Sequence, residues 1–284
     1  MSEQQMKTIN NMRTFHNLIK RQLYINYSKP SNLLDLACGK GGDIQKWLQC
    51  NFKFILAIDS NHNSINARKK THNYDGAISR WFYIKKKINS FIPFIRFEVL
   101  DILDKDILEK INNKDNYKLY DTITCHFALH YFANSKISLI NFFTLVSNKL
   151  NSGGYFIATT TNGNKIKSIL DLNDKFDSDI LKMSSNPNNE RGYYYYLDED
   201  TRETGKNYFE LEGVSQEYFI TIEEIIEIIN IPHLNLELVE IKNFNDYYSD
   251  KTIESKLKEF NNYPLNNEEK LISFLNMSII VKKK

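Results

Sequence analysis

The sequence predicts a doubly wound α/β fold built on a mostly parallel sheet of seven strands. Short, near-continuous apolar runs alternate with amphipathic segments from about residue 32 to about residue 160. Runs of this kind are typical of parallel strands that are covered by helices on both faces. A glycine-rich turn, ACGKGG at residues 37–42, directly follows the first run. In this fold class ligands bind at the carboxyl ends of the strands, so the turn marks the expected site.

The elements of the first half follow in a regular order. Apolar residues recur at helical spacing over residues 5–27, so residues 1–30 are expected to form an N-terminal helical arm. Residues 31–161 then form the expected cofactor-binding core. Its five strands lie in NLLDLA, FKFILAID, FIRFEVLD, YDTITCHFALHYF and YFIATTT. Its helices are expected in GGDIQKWLQ, in NSINARKKTHN with a continuation to about residue 88, and in SKISLINFFTLVSNKL.

The pattern changes after Thr161. Residues 162–215 are rich in polar residues, with Pro and Gly, and are expected to form an insertion of loops or a small antiparallel piece. Residues 216–284 complete the sheet, with a strand before Thr221 and a helix that starts near it. The last two strands are expected in LELVEIKNFNDYY and ISFLNMSIIV, joined by the helical KTIESKLKEF. Residues 1–284 are therefore expected to form a single domain.

Composition excludes some classes of function. The formal net charge is only +2, so any contact with nucleic acid must come from a local patch. No apolar run reaches the roughly 18 residues that a membrane span needs, so no membrane partner is expected. The three cysteines have no metal-ligand spacing, so we expect no metal and a reducing, intracellular environment.

Carboxylates flank the glycine turn and end the neighbouring strands. Asp35 precedes the turn and Asp43 follows it, and two carboxylates would repel a pyrophosphate. They suit a cationic ligand that donates hydrogen bonds, such as the amino acid end of S-adenosylmethionine. Asp59 ends the second strand, where a carboxylate can accept from ribose hydroxyls, and Asp101 ends the third, where it could face the adenine amino group. Each of these residues could instead serve only as a turn or cap residue.

Specific motifs carry a resemblance to a known family. LLDLACGKGGDIQKW resembles the signature of eukaryotic and viral mRNA cap (guanine-N7) methyltransferases. The segments MRTFHNLIK, DTITCHFALHYFA, GGYFIATTTNGNKI, SQEYFITI and NFNDYY are similar to further family motifs in the same order. The resemblance implies a single methyltransferase domain of the class I S-adenosylmethionine-dependent type. It also implies transfer of a methyl group to N7 of the cap guanine.

The resemblance further implies which residues hold S-adenosylmethionine. Asp35 would meet the methionine amino group, and His126 stands where the family usually has Gln. The implied cofactor residues are Lys20, Asp35, Ala37, Gly39, Asp43, Asp59, Asp101, His126 and Tyr131.

A second set of residues is implied to bind the cap. His16 and Asn17 occupy the positions of two family asparagines, although the first of them is a histidine here. The implied cap residues are His16, Asn17, Lys40, Lys46, Arg68, His130 and Glu217. The choice among the basic residues at 68–70 stays open. Because N7 carries a lone pair, no acid or base is expected, and Tyr131, His130 and Glu217 would act by orientation.

Alternatives to the enzyme remain open on sequence alone. The chain could be a non-catalytic or stimulatory subunit of a capping complex, or a methyltransferase for another base or a small molecule. The expected partner is the GpppN end of capped RNA, with other capping-enzyme domains or a stimulatory subunit as further partners. The expected location is the nucleus or cytoplasm, or a cytoplasmic replication site for a viral protein. The tyrosines at 193–196 could stack on bases or form a half-buried strand.

Overall fold

The computed structural model describes residues 9–67, 76–89, 91–116, 118–198 and 213–284. Its strands are β1 (Asn32–Leu36), β2 (Phe54–Asp59), β3 (Phe94–Val99), β4 (Tyr120–His126), β5 (Leu150–Thr161), β6 (Lys175–Asp177), β7 (Leu181–Ser185), β8 (Gly192–Leu197), β9 (Ser215–Tyr218), β10 (Leu236–Asn243) and β11 (Asn276–Lys283). Its α-helices are α1 (Asn10–Tyr27), α2 (Ile44–Gln49), α3 (His62–Asn66), α4 (Ala77–Lys85), α5 (Ile107–Asp115), α6 (Lys136–Lys149), α7 (Gly163–Asn173), α8 (Ile222–Ile229), α9 (Phe244–Tyr248), α10 (Lys251–Glu259) and α11 (Asn267–Phe274).

The main sheet has seven strands in the order β3-β2-β1-β4-β5-β11-β10. The first five strands pair in parallel, and β11 lies antiparallel between β5 and β10. The predicted doubly wound, mostly parallel sheet of seven strands is therefore confirmed. Because the parallel strands share one direction, the carboxyl ends of β1, β2, β3 and β4 meet at the same edge.

Helices cover both faces of this sheet. On one face the core includes Ile107 of α5, Phe142 of α6 and Ile225 of α8. On the other face it includes Ile19 of α1 and Trp47 of α2. With both faces covered, the parallel strands bury side chains on either side, which explains their continuous apolar runs.

Helix α1 is held to the body by polar contacts as well as by its apolar stripe. The Trp47 indole donates to the Tyr24 hydroxyl at 3.0 Å, and that hydroxyl donates to Thr124 on β4 at 3.3 Å. At the other end of α1 the Met12 amide donates to the buried Glu269 carboxylate of α11 at 3.0 Å. Glu269 thereby satisfies an amide in the first turn of α1, which has no side-chain cap of its own. These contacts hold α1 at Met12 and Tyr24, and the predicted site residues of the helix lie between those two points.

A second sheet is formed by the part of the chain that follows β5 and precedes α8. Strands β6, β7, β8 and β9 pair in that order, and every pair is antiparallel. The stretch 162–215, for which loops or a small antiparallel piece were expected, thus contains α7 and the strands β6, β7 and β8, while β9 is the strand expected before Thr221. The second sheet places Glu217 of β9 directly opposite Tyr193 of β8.

Three details of the predicted elements are wrong. The strand expected in LELVEIKNFNDYY ends at Asn243, and Phe244–Tyr248 form helix α9 instead. A single helix from residue 63 to about 88 does not form, because α3 ends at Asn66 and Ala67 turns into extended backbone at ψ 135°. Gly76, just before α4, packs so tightly on this break that an added Cβ would lie 2.8 Å from the Ala67 nitrogen. The last strand also begins later than expected, because Asn266 and Glu269 form a capping box that starts α11.

No helix among the described residues is long and apolar enough to cross a membrane.

Gly163 offers a test of how closely the second sheet is joined to the main one. Its amide donates to the Ile220 carbonyl at 2.8 Å, and an added Cβ would lie 2.5 Å from that oxygen. Alanine normally favours a helix over glycine by about 1 kcal/mol. Here we expect Gly163→Ala to lower the free energy of unfolding by about 1–3 kcal/mol, because the backbone must move apart.

Urea unfolding measures the change, with the exposed Lys167→Ala on the same helix as control. An unchanged or higher free energy of unfolding for Gly163→Ala would contradict this packing.

Candidate functional site

The turn after β1 has an unusual backbone. Ala37, Gly39 and Gly41 have positive φ angles of 66°, 51° and 70°. The left-handed region costs a residue with a Cβ roughly 1–2 kcal/mol, so glycine suits positions 39 and 41 and Ala37 carries some strain. The Cys38 amide bonds the Ile58 carbonyl at 2.9 Å, which ties the turn to the end of β2. The turn therefore stays open above the strand ends.

A cavity of about 700 Å³ lies over this edge of the sheet, between the turn and α1. The predicted cofactor residues are spread over α1, the glycine turn, the tips of β2 and β4 and the loop after β3. The structure brings all of them together on the cavity wall: Lys20, Asp35, Ala37, Gly39, Asp43, Asp59, Asp101, His126 and Tyr131. His16 and Asn17, predicted to bind the cap, lie on the same wall.

The acids at the strand tips are held by backbone amides. One oxygen of Asp59 accepts from the Gly39 amide at 2.8 Å, and the other accepts from the Asn61 amide at 2.9 Å. Asp101 lies two residues after β3, is exposed, and accepts from the Leu103 amide at 2.9 Å. Each carboxylate oxygen can accept more than one hydrogen bond, so these contacts orient Asp59 without exhausting it.

A buried ion cluster connects α1 to the glycine turn. Asp43 accepts from Lys20 at 2.7 Å and from Lys46 at 2.8 Å, and Lys46 also donates to Asn17 at 2.8 Å. Burial alone would raise the pKa of Asp43, but the two ammonium groups outweigh it and lower that pKa. Burial lowers the pKa of Lys46 to about 8 despite the attraction of Asp43. Asp35 has a pKa well above its usual value, because of burial and then the nearby Asp43 charge.

Two histidines on the cavity wall are held neutral. His126 lies 3.2 Å from the Thr159 hydroxyl through Nδ1, while its buried Nε2 makes no hydrogen bond within the described residues. His16 lies 2.9 Å from the Ser273 hydroxyl through Nε2 and stacks on Phe127 at 5.1 Å. Burial, followed by the charge of Lys20, lowers the pKa of both to about 3, although Asp43 opposes this at His126.

A second group lies where the short 3-10 helix Leu129–Phe132 meets β9. His130 Nε2 is 3.7 Å from a Glu217 oxygen, and each side chain is only 1% exposed. The Tyr131 hydroxyl is 3.2 Å from that of Ser215. Burial raises the pKa of Glu217 to about 7, although hydroxyls of Tyr193 and Ser215 oppose the rise. Burial lowers the pKa of His130 to about 3. Tyr131 borders both this group and the cavity.

The remaining predicted residues lie elsewhere. The described cavity wall does not include Lys40, Lys46, His130 or Glu217. Lys40 is half-buried within the turn, Lys46 is enclosed in the ion cluster, and Arg68 lies outside the described residues.

Sequence reasoning missed several residues of the wall: Arg13, Asn61, Ser64, Arg80 and Phe127. Arg13 could have been found, because it lies one helical turn before Asn17 in the arm. Phe127 also stands within a quoted motif, and its φ of 55° marks a tight turn there. Arg80 gave no signal, because it lies on α4, away from every quoted motif.

The ion cluster leads to a prediction on stability. We expect Asp43→Asn to lower the free energy of unfolding by about 3–5 kcal/mol, because two buried ammonium groups lose their carboxylate. Glu254→Gln breaks the largely exposed pair with Lys258, 2.7 Å long, and should cost less than about 1 kcal/mol. Urea unfolding at pH 7.5 compares the two. Equal losses would show that the Asp43 cluster contributes no more than a surface pair.

The neutral His126 leads to a prediction on pH. Its folded pKa of about 3 lies below the unfolded value of about 6.5, so only the unfolded chain binds the proton between these values. Stability is therefore lost as pH falls below about 6.5, by up to about 1.4 kcal/mol per pH unit. We expect His126→Gln to remove this contribution and make the profile less steep between pH 5 and 7, while the buried His16 and His130 still contribute.

Urea unfolding over that range measures the slope, with exposed His233→Gln as control. A His126→Gln profile parallel to the unsubstituted protein would contradict the assignment.

Several solved structures similar to this chain are described as S-adenosylmethionine-dependent methyltransferases. One from Clostridium acetobutylicum has a TM-score of 0.54 at 18% identity, covering 96% of this chain and 92% of that one. The PH0226 protein from Pyrococcus horikoshii also has a TM-score of 0.54, at 14% identity, covering 98% of this chain and 94% of that one. At these identities the likeness shows the fold, which is that of class I S-adenosylmethionine-dependent methyltransferases.

Several relatives match at the sequence level. A probable mRNA-capping enzyme of Acanthamoeba polyphaga mimivirus is 31% identical over 62% of this chain and 16% of its own length. The mRNA cap guanine-N(7) methyltransferase of Caenorhabditis elegans is 31% identical over 55% of this chain and 40% of its own. That of Schizosaccharomyces pombe is 24% identical over 88% and 66%. The chain thus spans less than half the length of the first two relatives.

The profile of the mRNA (guanine-N(7))-methyltransferase domain matches residues 1–271, which is nearly the whole chain. The match includes the arm, the glycine turn, the short 3-10 helix and β9. The chain therefore belongs to the mRNA (guanine-N7)-methyltransferase family.

Proposed function

We propose that this chain transfers a methyl group from S-adenosylmethionine to N7 of the guanine in the GpppN cap of RNA. The observation that carries the proposal is the pairing of two sites along the 3-10 helix. One is the cavity over the strand tips, and the other is the His130–Glu217 group, with Tyr131 between them. Membership of the cap methyltransferase family supports the same reaction.

The cavity residues fit S-adenosylmethionine. Gly39 lies on the cavity wall and has no side chain above the strand end, which leaves room for a ligand to approach the backbone. Asp59 has carboxylate oxygens oriented by two amides and suited to ribose hydroxyls, and Asp101 lies on the same wall for the adenine. The described cavity wall carries four carboxyl residues and three basic ones, a balance that suits a positively charged ligand. When bound, S-adenosylmethionine supplies a methyl group already activated by its sulfonium.

The second group suits a guanine. The Glu217 carboxylate can accept the N1 and N2 hydrogens of guanine, a pair of donors that adenine does not have. N7 carries a lone pair and needs no deprotonation, so the chain needs no general base. Tyr131, His130 and Glu217 then act by holding the base in line with the methyl group, and orientation of this kind can contribute about 7–11 kcal/mol. His130, neutral at working pH, adds no positive charge beside the sulfonium.

The cap phosphates and sugar remain assigned to the basic and polar residues of the arm and turn: His16, Asn17, Lys40, Lys46 and Arg68. Asn17 is the exposed one that reaches the cavity wall, and Lys46 holds its amide oxygen. In this proposal Lys46 contributes its charge through the ion cluster next to the cavity. Charge-assisted bonds from lysine or arginine to phosphate are stronger than neutral ones.

We also propose partners and a location. The mimivirus relative is named a probable mRNA-capping enzyme, and this chain matches only 16% of it. Other capping-enzyme domains or a stimulatory subunit are therefore proposed partners, besides capped RNA. The proposed location is the nucleus or the cytoplasm, including a cytoplasmic replication site if the protein is viral.

The test is methylation of GpppG-capped RNA with radiolabelled S-adenosylmethionine. We expect Glu217→Ala to reduce the rate at least about 100-fold, because two hydrogen bonds to a buried charged group are lost. Binding of S-adenosylhomocysteine should change less than about twofold. The exposed Glu227→Ala on α8 is the control and should keep the full rate.

Two results would contradict the proposal. Unsubstituted protein that binds S-adenosylhomocysteine but transfers no methyl group would favour a non-catalytic subunit. A Glu217→Ala protein with full turnover on GpppG would remove Glu217 from guanine recognition.

A further inference from the structure

The tyrosine run of the second sheet places one phenol on the carboxylate assigned to the guanine. Tyr193 of β8 lies directly opposite Glu217 of β9, and its hydroxyl donates to a Glu217 oxygen at 2.7 Å. We propose that Tyr193 is a positioning residue that fixes the Glu217 carboxylate for recognition of the guanine edge. This inference rests on the proposed cap methylation.

Burial separates the tyrosines of the run into two pairs. Tyr193 is 0% exposed and Tyr195 is 3% exposed, whereas Tyr194 and Tyr196 are half-buried on the other face of the strand. Tyr193 stacks on Phe219 with ring centres 5.0 Å apart. A ring enclosed in this way has no free face for an RNA base. Its hydroxyl is the part of Tyr193 that remains for a role in the site.

The phenol belongs to a short chain of hydrogen bonds anchored in the main sheet. Thr161, at the end of β5, has its hydroxyl oxygen 2.9 Å from that of Tyr193. A phenol has one proton, so when Tyr193 donates to Glu217 the Thr161 hydroxyl can donate to the phenol oxygen. The direction Thr161 to Tyr193 to Glu217 satisfies all three groups. It links the carboxylate to the end of β5 in the main sheet.

Glu217 depends on this chain of hydrogen bonds because no cation in the described part of the protein neutralises it. Within the described ranges the one basic side chain within 4 Å of the Glu217 carboxylate is His130, 3.7 Å away. Burial lowers the pKa of that histidine to about 3, so it carries no charge at neutral pH. The titratable groups that face the carboxylate are His130 and Tyr131 on the 3-10 helix and Tyr193 on β8, with Tyr195 next to Tyr193. All of them are neutral at neutral pH, so among the described residues it is the hydroxyls of Tyr193 and Ser215 that stabilise the carboxylate.

The ionised form of Glu217 is therefore finely balanced. Burial raises its pKa to about 7, and the hydrogen bond from Tyr193 is the first of the two that oppose this rise. The carboxylate accepts two guanine hydrogens, whereas the protonated acid has a donor where one acceptor is needed. Losing the phenol hydroxyl would raise the pKa of Glu217 further. At neutral pH the carboxyl would then be mostly protonated and free to rotate.

The test uses Tyr193→Phe, which keeps the ring and removes only the hydroxyl. Titration calorimetry measures the affinities for GpppG and S-adenosylhomocysteine from pH 5.5 to 8.5. Affinity of the unsubstituted protein for GpppG should fall as pH drops through about 7. In Tyr193→Phe the midpoint should move to higher pH, with GpppG binding about tenfold weaker at pH 7. S-adenosylhomocysteine binding should stay within about twofold.

Matched variants separate positioning from a general loss of structure. Tyr194→Phe makes the same chemical change on the opposite face of β8 and should leave both affinities unchanged. In a Glu217→Gln background the group no longer titrates, so adding Tyr193→Phe should cause no further shift with pH. Thr161→Val, which removes the hydroxyl behind the phenol, should shift the midpoint in the same direction by less and serves if Tyr193→Phe does not fold.

The outcomes are distinct. A Tyr193→Phe protein with the affinity and pH midpoint of the unsubstituted protein overturns the positioning role. So does an equal weakening at every pH that persists in the Glu217→Gln background. Unsubstituted protein that neither binds nor methylates GpppG overturns the proposed function itself, and the role of Tyr193 falls with it.

Discussion

The site depends on one buried carboxylate that bridges two separate parts of the chain. Asp43 begins the helix after the glycine turn and holds Lys20 of α1 and Lys46 of α2 within 2.8 Å. Without this ion cluster, α1 would keep its apolar stripe and its hydrogen bonds at Tyr24 and Met12 but lose its link to the glycine turn. The cluster thereby places His16 and Asn17 over the strand tips. A local sequence feature, an acid after a glycine turn, thus organises contacts across the whole cavity.

The two halves of the site treat their acids in opposite ways. Asp43 is surrounded by cations, which keep it ionised at any physiological pH despite its burial. Among the described residues, Glu217 meets neutral hydroxyls and a neutral His130, and burial raises its pKa to about 7. The first arrangement suits a structural acid that must never lose its charge. The second suits an acid whose ionised form is stabilised by the hydrogen-bond donors of a bound ligand. The carboxylate is already desolvated in the folded protein, so ligand binding does not have to desolvate it.

Sequence patterns predicted the elements whose signals are local. Apolar runs identified the strands of the main sheet, and strand-end acids such as Asp59 were found because parallel strands end together. The break between α3 and α4 was missed, since Gly76 acts through packing on residue 67 rather than through its own neighbours. Lys46 could be placed on a helix but not in an ion cluster. The contact of Tyr193 with Glu217 depends on strand register, which no short motif encodes.

Charge also explains why three histidines can line or adjoin a site proposed for a sulfonium. Burial holds His16, His126 and His130 neutral, with pKa values of about 3. A protonated imidazole would repel the sulfonium and compete with it for the carboxylates. The neighbouring ammonium of Lys20 lowers the pKa of His16 and His126 further. That ammonium is itself paired with the Asp43 carboxylate. The fold thus supplies polar nitrogen atoms around the cavity without adding cations. The imidazoles stay neutral because they are buried.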